Sequence, residues 1–133
     1  MTVDRGFLYN LTMPFHFESL DVYKKSLDWV EAVDKLTTSL KGQISYGIVD
    51  QITRAALSIP LNIAEGNGRW HKAEKKNFFW IARGSVYECV AIIQVLQRKQ
   101  IFSTEDYTGY YSLLESLAQM LSKLVQATEK LER

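Results

Sequence analysis

The chain has 133 residues, 47% of them hydrophobic, and its 16 Lys and Arg against 15 Asp and Glu give a formal net charge of +1 at pH 7. This length predicts one domain with enough apolar side chains for a single core, and the balanced charge excludes a global electrostatic pull towards nucleic acid or a membrane. The single cysteine, the lack of a signal-peptide pattern and the lack of an apolar run of roughly 20 residues predict a soluble cytoplasmic protein.

The first helix is preceded by a segment without a clear hydrophobic period. We interpret residues 1–17 as an arm and residues 18–133 as the bundle domain, and Pro14 disfavours helix immediately before it. Ser19 is the predicted N-cap of the first helix, and Gly42 is predicted to stop it.

Three further helices follow with short connections. They are predicted over about residues 44–64, about residues 72–99, and from residue 104 to near the end of the chain. Ser103 and Asp106 resemble a capping box at the start of the last one, with Asp in place of the usual Glu. The sequence has no strand alternation of useful length. Four helices with short connections predict an all-α protein, an antiparallel up-down four-helix bundle.

The apolar positions of the first and third helices exceed what one small core can cover. The fourth helix has one seam, typical of core packing: Tyr110, Leu114, Leu117, Leu121, Leu124, Thr128 and Leu131. The first helix has two stripes on roughly opposite sides, one of Leu20, Tyr23, Leu27 and Val30, the other of Val22, Trp29, Val33, Leu36 and Leu40. The third, FFWIARGSVYECVAIIQVL, is apolar almost all round. A second buried stripe needs a second partner, so we expect self-association.

The second helix contains a proline. Pro60 removes one helical N–H and clashes with the carbonyl of Ala56, which predicts a kink at Pro60 and not the end of the helix. The freed carbonyl needs a donor, and Ser58, Asn62 or a side chain of the third helix is expected to supply one. The helix is predicted to end at Gly66 and Gly68.

A polar stripe runs along the second helix between two apolar surfaces, and we expect it to be buried or nearly so: Gln51, Arg54, Ser58, Asn62 and Glu65. Buried charges must be paired. Glu88 lies one turn from Gly84 on the third helix and is the predicted partner of Arg54. No nucleophile–base pair stands out, so the favoured interpretation is a set of polar contacts that fix the helix register. An enzyme would need Arg54, Glu65 and Glu88 to line an open pocket.

Two segments together carry a family resemblance. QITRAALSIPLNIAEGNGR followed by FFWIARGSVYE resembles the signature of the 23S rRNA intervening-sequence protein family, over about Phe17 to the C-terminus. The matching residues are Gln51, Arg54, Ala55, Ser58, Ile59, Asn62, Ile63, Ala64, Glu65, Gly66, Ala82, Gly84, Ser85 and Glu88. The resemblance implies a cytosolic four-helix bundle that forms a ring of five subunits and is often encoded within or near bacterial ribosomal RNA inserts. The chain is also similar to the accessory protein of diversity-generating retroelements, a basic pentamer that binds reverse transcriptase and nucleic acid, but differs from it in being nearly neutral.

Basic residues cluster around the start of the third helix: Arg69, Lys72, Lys75, Lys76 and Arg83, against the single acid Glu74. We interpret them as a solvated basic first turn beside core aromatics, and nucleic-acid contact is the alternative. No metal or cofactor is predicted, since His16, His71 and Cys89 are far apart and lack ligand spacing. Cys89, within an apolar run, is expected to be a packed small side chain.

These features together predict a non-enzymatic, homo-oligomeric bundle, pentameric by family resemblance, that acts as a scaffold or adaptor. One alternative is a nucleic-acid-binding accessory protein associated with rRNA or a ribonucleoprotein, in which the basic residues of five subunits gather on one rim. A second alternative is an enzyme that uses Arg54, Glu65 and Glu88.

Overall fold

The computed structural model describes residues 15–132 and consists of four long helices. They are α1 (Asp21–Ser39), α2 (Tyr46–Asn67), α3 (Lys72–Arg98) and α4 (Thr104–Glu129), and a single turn of 3-10 helix (His16–Ser19) precedes them. The described residues form no strand. The predicted all-α four-helix fold is therefore confirmed. Most of the predicted arm, residues 1–14, lies outside the described residues.

The start of α1 differs from the prediction. Leu20, not Ser19, occupies the N-cap position, and it provides no side-chain hydrogen bond. The hydroxyl of Ser19 donates instead to the carbonyl of His16 at 2.8 Å, within the 3-10 turn. The prediction of Ser19 as a cap is wrong because a local turn, which the helical period does not reveal, engages this hydroxyl first.

The starts of α2 and α4 are capped by serines. The Ser103 hydroxyl accepts a hydrogen bond from the backbone N–H of Asp106 at 3.0 Å, as the predicted cap requires. Ser45 caps α2 in the same way, through the N–H of Ile48 at 3.3 Å, so this helix starts at residue 46 and not at about 44. Between α1 and α2, Gly42 has a φ of +87°, a left-handed conformation that favours glycine.

Helix α2 ends at Asn67, so the prediction of its end is correct for Gly68 and wrong for Gly66. Gly66 is a buried helical residue and does not stop the helix, and Gly68 is the C-cap. A Cβ atom at Gly66 would lie 2.7 Å from Cε1 of Phe79 and 2.9 Å from Cβ of Phe78. The glycine therefore allows α2 and α3 to approach closely. Pro60 lies inside the helix, as predicted, while the kink there stays a prediction.

One apolar stripe from each helix forms the core. Trp29 of α1 is fully buried, its indole N–H lies 3.3 Å from Sγ of Cys89, and its ring meets that of Tyr110 edge-on with centroids 5.9 Å apart. The second predicted stripe of α1 is the one that faces the core, where Val22, Val33 and Leu36 are also buried.

Paired contacts show the relative directions of the helices. From the N-terminal towards the C-terminal part of α2, the contacts with α3 are Gln51–Glu88, Ser58–Ser85 and Gly66–Phe79. Residue numbers thus rise along α2 while they fall along α3, and the two helices run in opposite directions. The contacts Lys76–Glu129 and Arg83–Ser122 give the same relation between α3 and α4.

Helix α3 is also the one helix among the described residues that is long and apolar enough to cross a membrane by length and composition. Its inner side, however, is part of the core, with Phe79, Ala82, Val86, Cys89 and Ile93 all buried. A core helix of a soluble protein has this composition for the same reason. The fold is thus compatible with a soluble protein.

The close approach at Gly66 gives a first prediction. We expect Gly66→Ala to lower the free energy of unfolding by about 1–3 kcal/mol, because the added methyl group overpacks the contact with Phe79. The measurement is a urea titration followed by far-UV circular dichroism. Gly109→Ala in α4 is the matched control, since a Cβ there meets nothing within 4 Å. The control should gain up to about 1 kcal/mol from helix propensity. A comparable gain at Gly66 would contradict the close-approach explanation.

The buried thiol gives a second prediction. Burial raises the pKa of Cys89 from 9.0 to about 12, and the hydrogen bond from Trp29 opposes this only in part. We expect Cys89 to react with a thiol reagent such as DTNB far more slowly at pH 8 in the native protein than in urea, because the thiolate is the reactive form.

The raised pKa of Cys89 also makes the free energy of unfolding depend on pH. A thiol that ionises at a higher pH in the folded than in the unfolded state stabilises the fold below pH 9, and this contribution is lost as the pH rises from 9 towards 12. Cys89→Ala should therefore lose less of its free energy of unfolding between pH 9 and pH 12 than the wild type does.

The reactivity test has a clear opposite result. Equal rates of reaction with DTNB in the native and the urea-denatured protein would show that the thiol is accessible and would contradict the prediction.

Candidate functional site

The polar stripe of α2 lies largely at the surface of the chain. Gln51, Arg54 and Glu65 are exposed, and Ser58 and Asn62 are half-buried. Nε of Arg54 lies 3.1 Å from Oδ2 of Asp50, one turn earlier on the same helix, and the arginine side chain is 79% exposed. The expectation of a buried stripe is therefore wrong for the single chain.

The predicted buried ion pair between Arg54 and Glu88 is wrong as well. Glu88 is exposed and accepts a hydrogen bond from the side-chain amide of Gln51. Arg54 points outward from the bundle and reaches its neighbour Asp50 instead. Such surface pairs one helical turn apart contribute only about 0.3–0.5 kcal/mol.

Three motif residues form a polar seam between α2 and α3. The Ser85 hydroxyl donates to the Ser58 hydroxyl at 2.8 Å. The side-chain amide of Asn62 donates to the carbonyl of Ser58 at 2.8 Å and to its hydroxyl at 3.0 Å. Asn62 thus bonds to the carbonyl of Ser58 and not to that of Ala56, which Pro60 frees. Only the Ser58–Ser85 hydrogen bond crosses from α2 to α3, and it fixes the register of the two helices at this point. Asn62 lies one turn from Ser58 on the same helix and holds the Ser58 hydroxyl in place.

The residues that an enzyme would need do not meet. Arg54 pairs with Asp50, Glu65 lies 3.1 Å from Arg69, and Glu88 binds Gln51. A surface groove of about 680 Å³ between α3 and α4 has none of the three in its lining. Within residues 15–132, no three His, Cys, Asp or Glu side chains come close enough together to hold a metal ion.

Large apolar side chains are exposed on the outward sides of α2 and α3. We use the name α2–α3 face for these outward sides, where two groups of residues that are 44–58% exposed lie on either side of the polar stripe: Leu57 and Leu61 on α2, and Trp80, Ile81, Tyr87 and Val95 on α3. The prediction of surplus apolar surface on the third helix agrees with this face. On α1, by contrast, Leu20, Tyr23 and Val30 of the outer stripe pack at the edge of the core, and only Leu27 is exposed.

The lysines at the start of α3 contact the ends of the neighbouring helices. Nζ of Lys72 donates to the carbonyls of Glu129 and Leu131 at 3.3 and 3.2 Å, and Lys76 forms an ion pair with the Glu129 carboxylate. Nζ of Lys75 donates to the carbonyl of Asn67 at 2.8 Å. These ammonium groups satisfy and neutralise the C-terminal ends of α4 and α2, which carry unpaired carbonyls and a partial negative charge.

The two arginines of the basic cluster also have partners in the chain. Arg69 lies 3.1 Å from Glu65 and 3.6 Å from Glu74. Arg83 donates to the hydroxyls of Ser122 and Tyr87 at 3.0 and 2.9 Å. The basic cluster thus stabilises its own bundle, and a phosphate group would have to compete with these contacts.

The ion pair of Lys76 gives a third prediction. The hydrogen bond and the charge of Lys76 hold the pKa of Glu129 below its ordinary value, with a smaller contribution from Lys72. A lowered pKa stabilises the fold at neutral pH, and this contribution is lost as the pH falls through the folded-state pKa. Lys76→Ala should therefore lower the melting temperature at pH 7. The difference from wild type should shrink towards pH 3 and also in 1 M salt. A difference that is independent of pH would contradict the ion-pair explanation.

Comparison with solved structures supports the fold. The chain is similar to a protein with unknown function from the S23 ribosomal protein family of Bacteroides thetaiotaomicron VPI-5482. The two are 24% identical, with a TM-score of 0.74, and the match covers 78% of this chain and 97% of the other. A comparison with curated proteins finds no match.

The family is shown by the sequence match. The sequence model of a protein family, described as 23S rRNA-intervening sequence protein, matches residues 18–123, which include α1, α2, α3 and most of α4. The matched range contains the polar seam of Ser58, Asn62 and Ser85 and both glycines of the motif, Gly66 and Gly84. The chain therefore belongs to the 23S rRNA-intervening sequence protein family.

Proposed function

We propose that this protein is a non-enzymatic scaffold or adaptor of the cytoplasm that works as a homo-oligomer. The observation that carries the proposal is the α2–α3 face. Six large apolar residues of this face are 44–58% exposed, and exposed apolar side chains gathered on two neighbouring helices of a small domain favour an interaction site.

Two further observations favour a binding protein over the alternatives. Arg54, Glu65 and Glu88 are engaged in separate surface contacts, which does not favour an enzyme that uses these three residues in one pocket. The basic cluster is committed to helix ends and to neighbouring side chains, which weakens the nucleic-acid hypothesis. The proposed subunit number is five, on the grounds of the family resemblance alone.

A fourth prediction tests the oligomer. Size-exclusion chromatography with light scattering at micromolar concentration should give a mass that is a multiple of the 15.3 kDa chain, because the α2–α3 face is then covered by other copies. A monodisperse species of a single chain mass would overturn the proposal.

The same sample separates the scaffold from an RNA-binding protein. Fluorescent single- and double-stranded RNA, titrated across a salt series, should show no binding with the steep salt dependence of phosphate contacts. The opposite result would favour the nucleic-acid hypothesis: strong binding at low salt that is lost in a folded Lys72, Lys76 and Arg83 triple alanine variant.

A further inference from the structure

The groove of about 680 Å³ between α3 and α4 has an apolar floor. Its buried and half-buried lining residues include Val86, Val90, Leu114 and Ala118. The small side chains of Ala91 and Ala118 leave the space between the two helices open. Cavities of about 300–1,000 Å³ that combine an apolar lining with a few polar groups are typical of small-molecule sites.

The two ends of this groove differ in charge. Arg83 of α3 and Lys123 of α4 line one end, where Arg83 donates to Ser122 of α4 at 3.0 Å. Because α3 and α4 run in opposite directions, Gln94 and Tyr111 line the other end. From Arg83 to Gln94 the groove follows α3 for about 16 Å. It therefore has one cationic end and one neutral polar end, joined by the apolar floor.

The charge of Arg83 is not balanced by an acid in the described part of the chain. The ion pairs within residues 15–132 include neither Arg83 nor Lys123. Arg83 donates only to the neutral hydroxyls of Ser122 and Tyr87, which leaves the other N–H groups of its guanidinium for an anion. Its guanidinium carbon also lies 4.7 Å from the centre of the Tyr87 ring. These contacts hold the cation in place before a ligand binds, which lowers the entropic cost of binding.

Glu115 limits the anion to the cationic end. It is exposed and lines the groove, about 12 Å along α4 from Lys123. A nucleic acid that lay along the groove would bring a further phosphate against this carboxylate. A ligand with a single anionic head group avoids that repulsion, and the apolar floor favours a hydrocarbon for the rest of it.

We propose that the α3–α4 groove binds an amphiphile with one carboxylate head group and an unbranched hydrocarbon tail. The carboxylate lies between Arg83 and Lys123, because a guanidinium presents paired N–H groups that match the two oxygens of a carboxylate. The tail lies along the floor at Val86, Val90 and Leu114, where it is removed from water. All of these residues belong to one chain, so the site does not depend on self-association.

A fifth prediction tests the head group and the tail separately. In isothermal titration calorimetry, sodium dodecanoate below its critical micelle concentration should saturate a single site per chain. Acetate has the head group alone, and dodecyltrimethylammonium has the same tail with a cationic head group, so both should bind far more weakly. Arg83→Gln should weaken the binding of dodecanoate about 10-fold or more, because hydrogen bonds to a charged group are lost. Ala91→Phe should also weaken it, because the larger side chain at this exposed position fills the groove.

Arg98→Gln is the matched control. Arg98 is an exposed arginine of the same helix that does not line the groove, so its substitution should leave the dissociation constant unchanged. An equal loss of affinity in Arg98→Gln would show a general effect of net charge and would overturn the inference. Circular dichroism reports the fold of each variant. If Arg83→Gln fails to fold without its contact to Ser122, Lys123→Gln decides, and an unchanged dissociation constant in that variant refutes the inference.

Other results would also count against the carboxylate site. The inference is overturned if dodecanoate shows no saturable binding, or if dodecyltrimethylammonium binds equally well. Binding of an acidic amphipathic peptide without any binding of dodecanoate would overturn it too, since the occupant would then be a helix of a partner protein. A wild-type monomer that binds dodecanoate would overturn the proposed homo-oligomer and support the carboxylate site.

Discussion

Helix α2 lies against α3 so closely that no side chain fits at Gly66, and Phe79 occupies the space. Two turns away along α2, the Ser58 hydroxyl accepts a hydrogen bond from Ser85 of α3, and Asn62 bonds to Ser58 within α2. A slip of α2 along α3 would separate Ser58 from Ser85 and drive a larger residue against Phe79. The register is therefore fixed, and with it the identity of the residues that point outward, among them Trp80 and Tyr87.

The charged residues around the start of α3 illustrate how a bundle uses its own cations. Because neighbouring helices run in opposite directions, the N-terminus of α3 lies beside the last turns of α2 and α4. Lys75 reaches the end of α2, while Lys72 and Lys76 reach the end of α4. The three lysines of the basic cluster thus compensate the partial negative charge at the C-terminal ends of helices in the same chain.

The helices are predicted well from the sequence, because the features that define a helix depend on residues close to one another in the chain. The apolar periods, the Ser103 cap and the place of Pro60 inside a helix all depend on residues within a few turns. Gly66 shows the limit of such reasoning. The sequence alone does not distinguish a glycine that ends a helix from a glycine that allows another helix to approach. Only the position of Phe79, remote in sequence and adjacent in space, distinguishes the two.

The errors about the polar stripe have a common physical origin. A polar stripe with apolar residues on both sides is expected to be buried, because the pattern reports the apolar surface and not which chain covers it. In the single chain, Leu57 and Leu61 are exposed and Arg54 turns to Asp50. A second copy on the α2–α3 face would cover that apolar side and bring the stripe towards the interior of the assembly. In the proposed homo-oligomer the sequence pattern and the exposed arginine would be consistent, since the pattern would describe the assembly and the exposure describes the single chain.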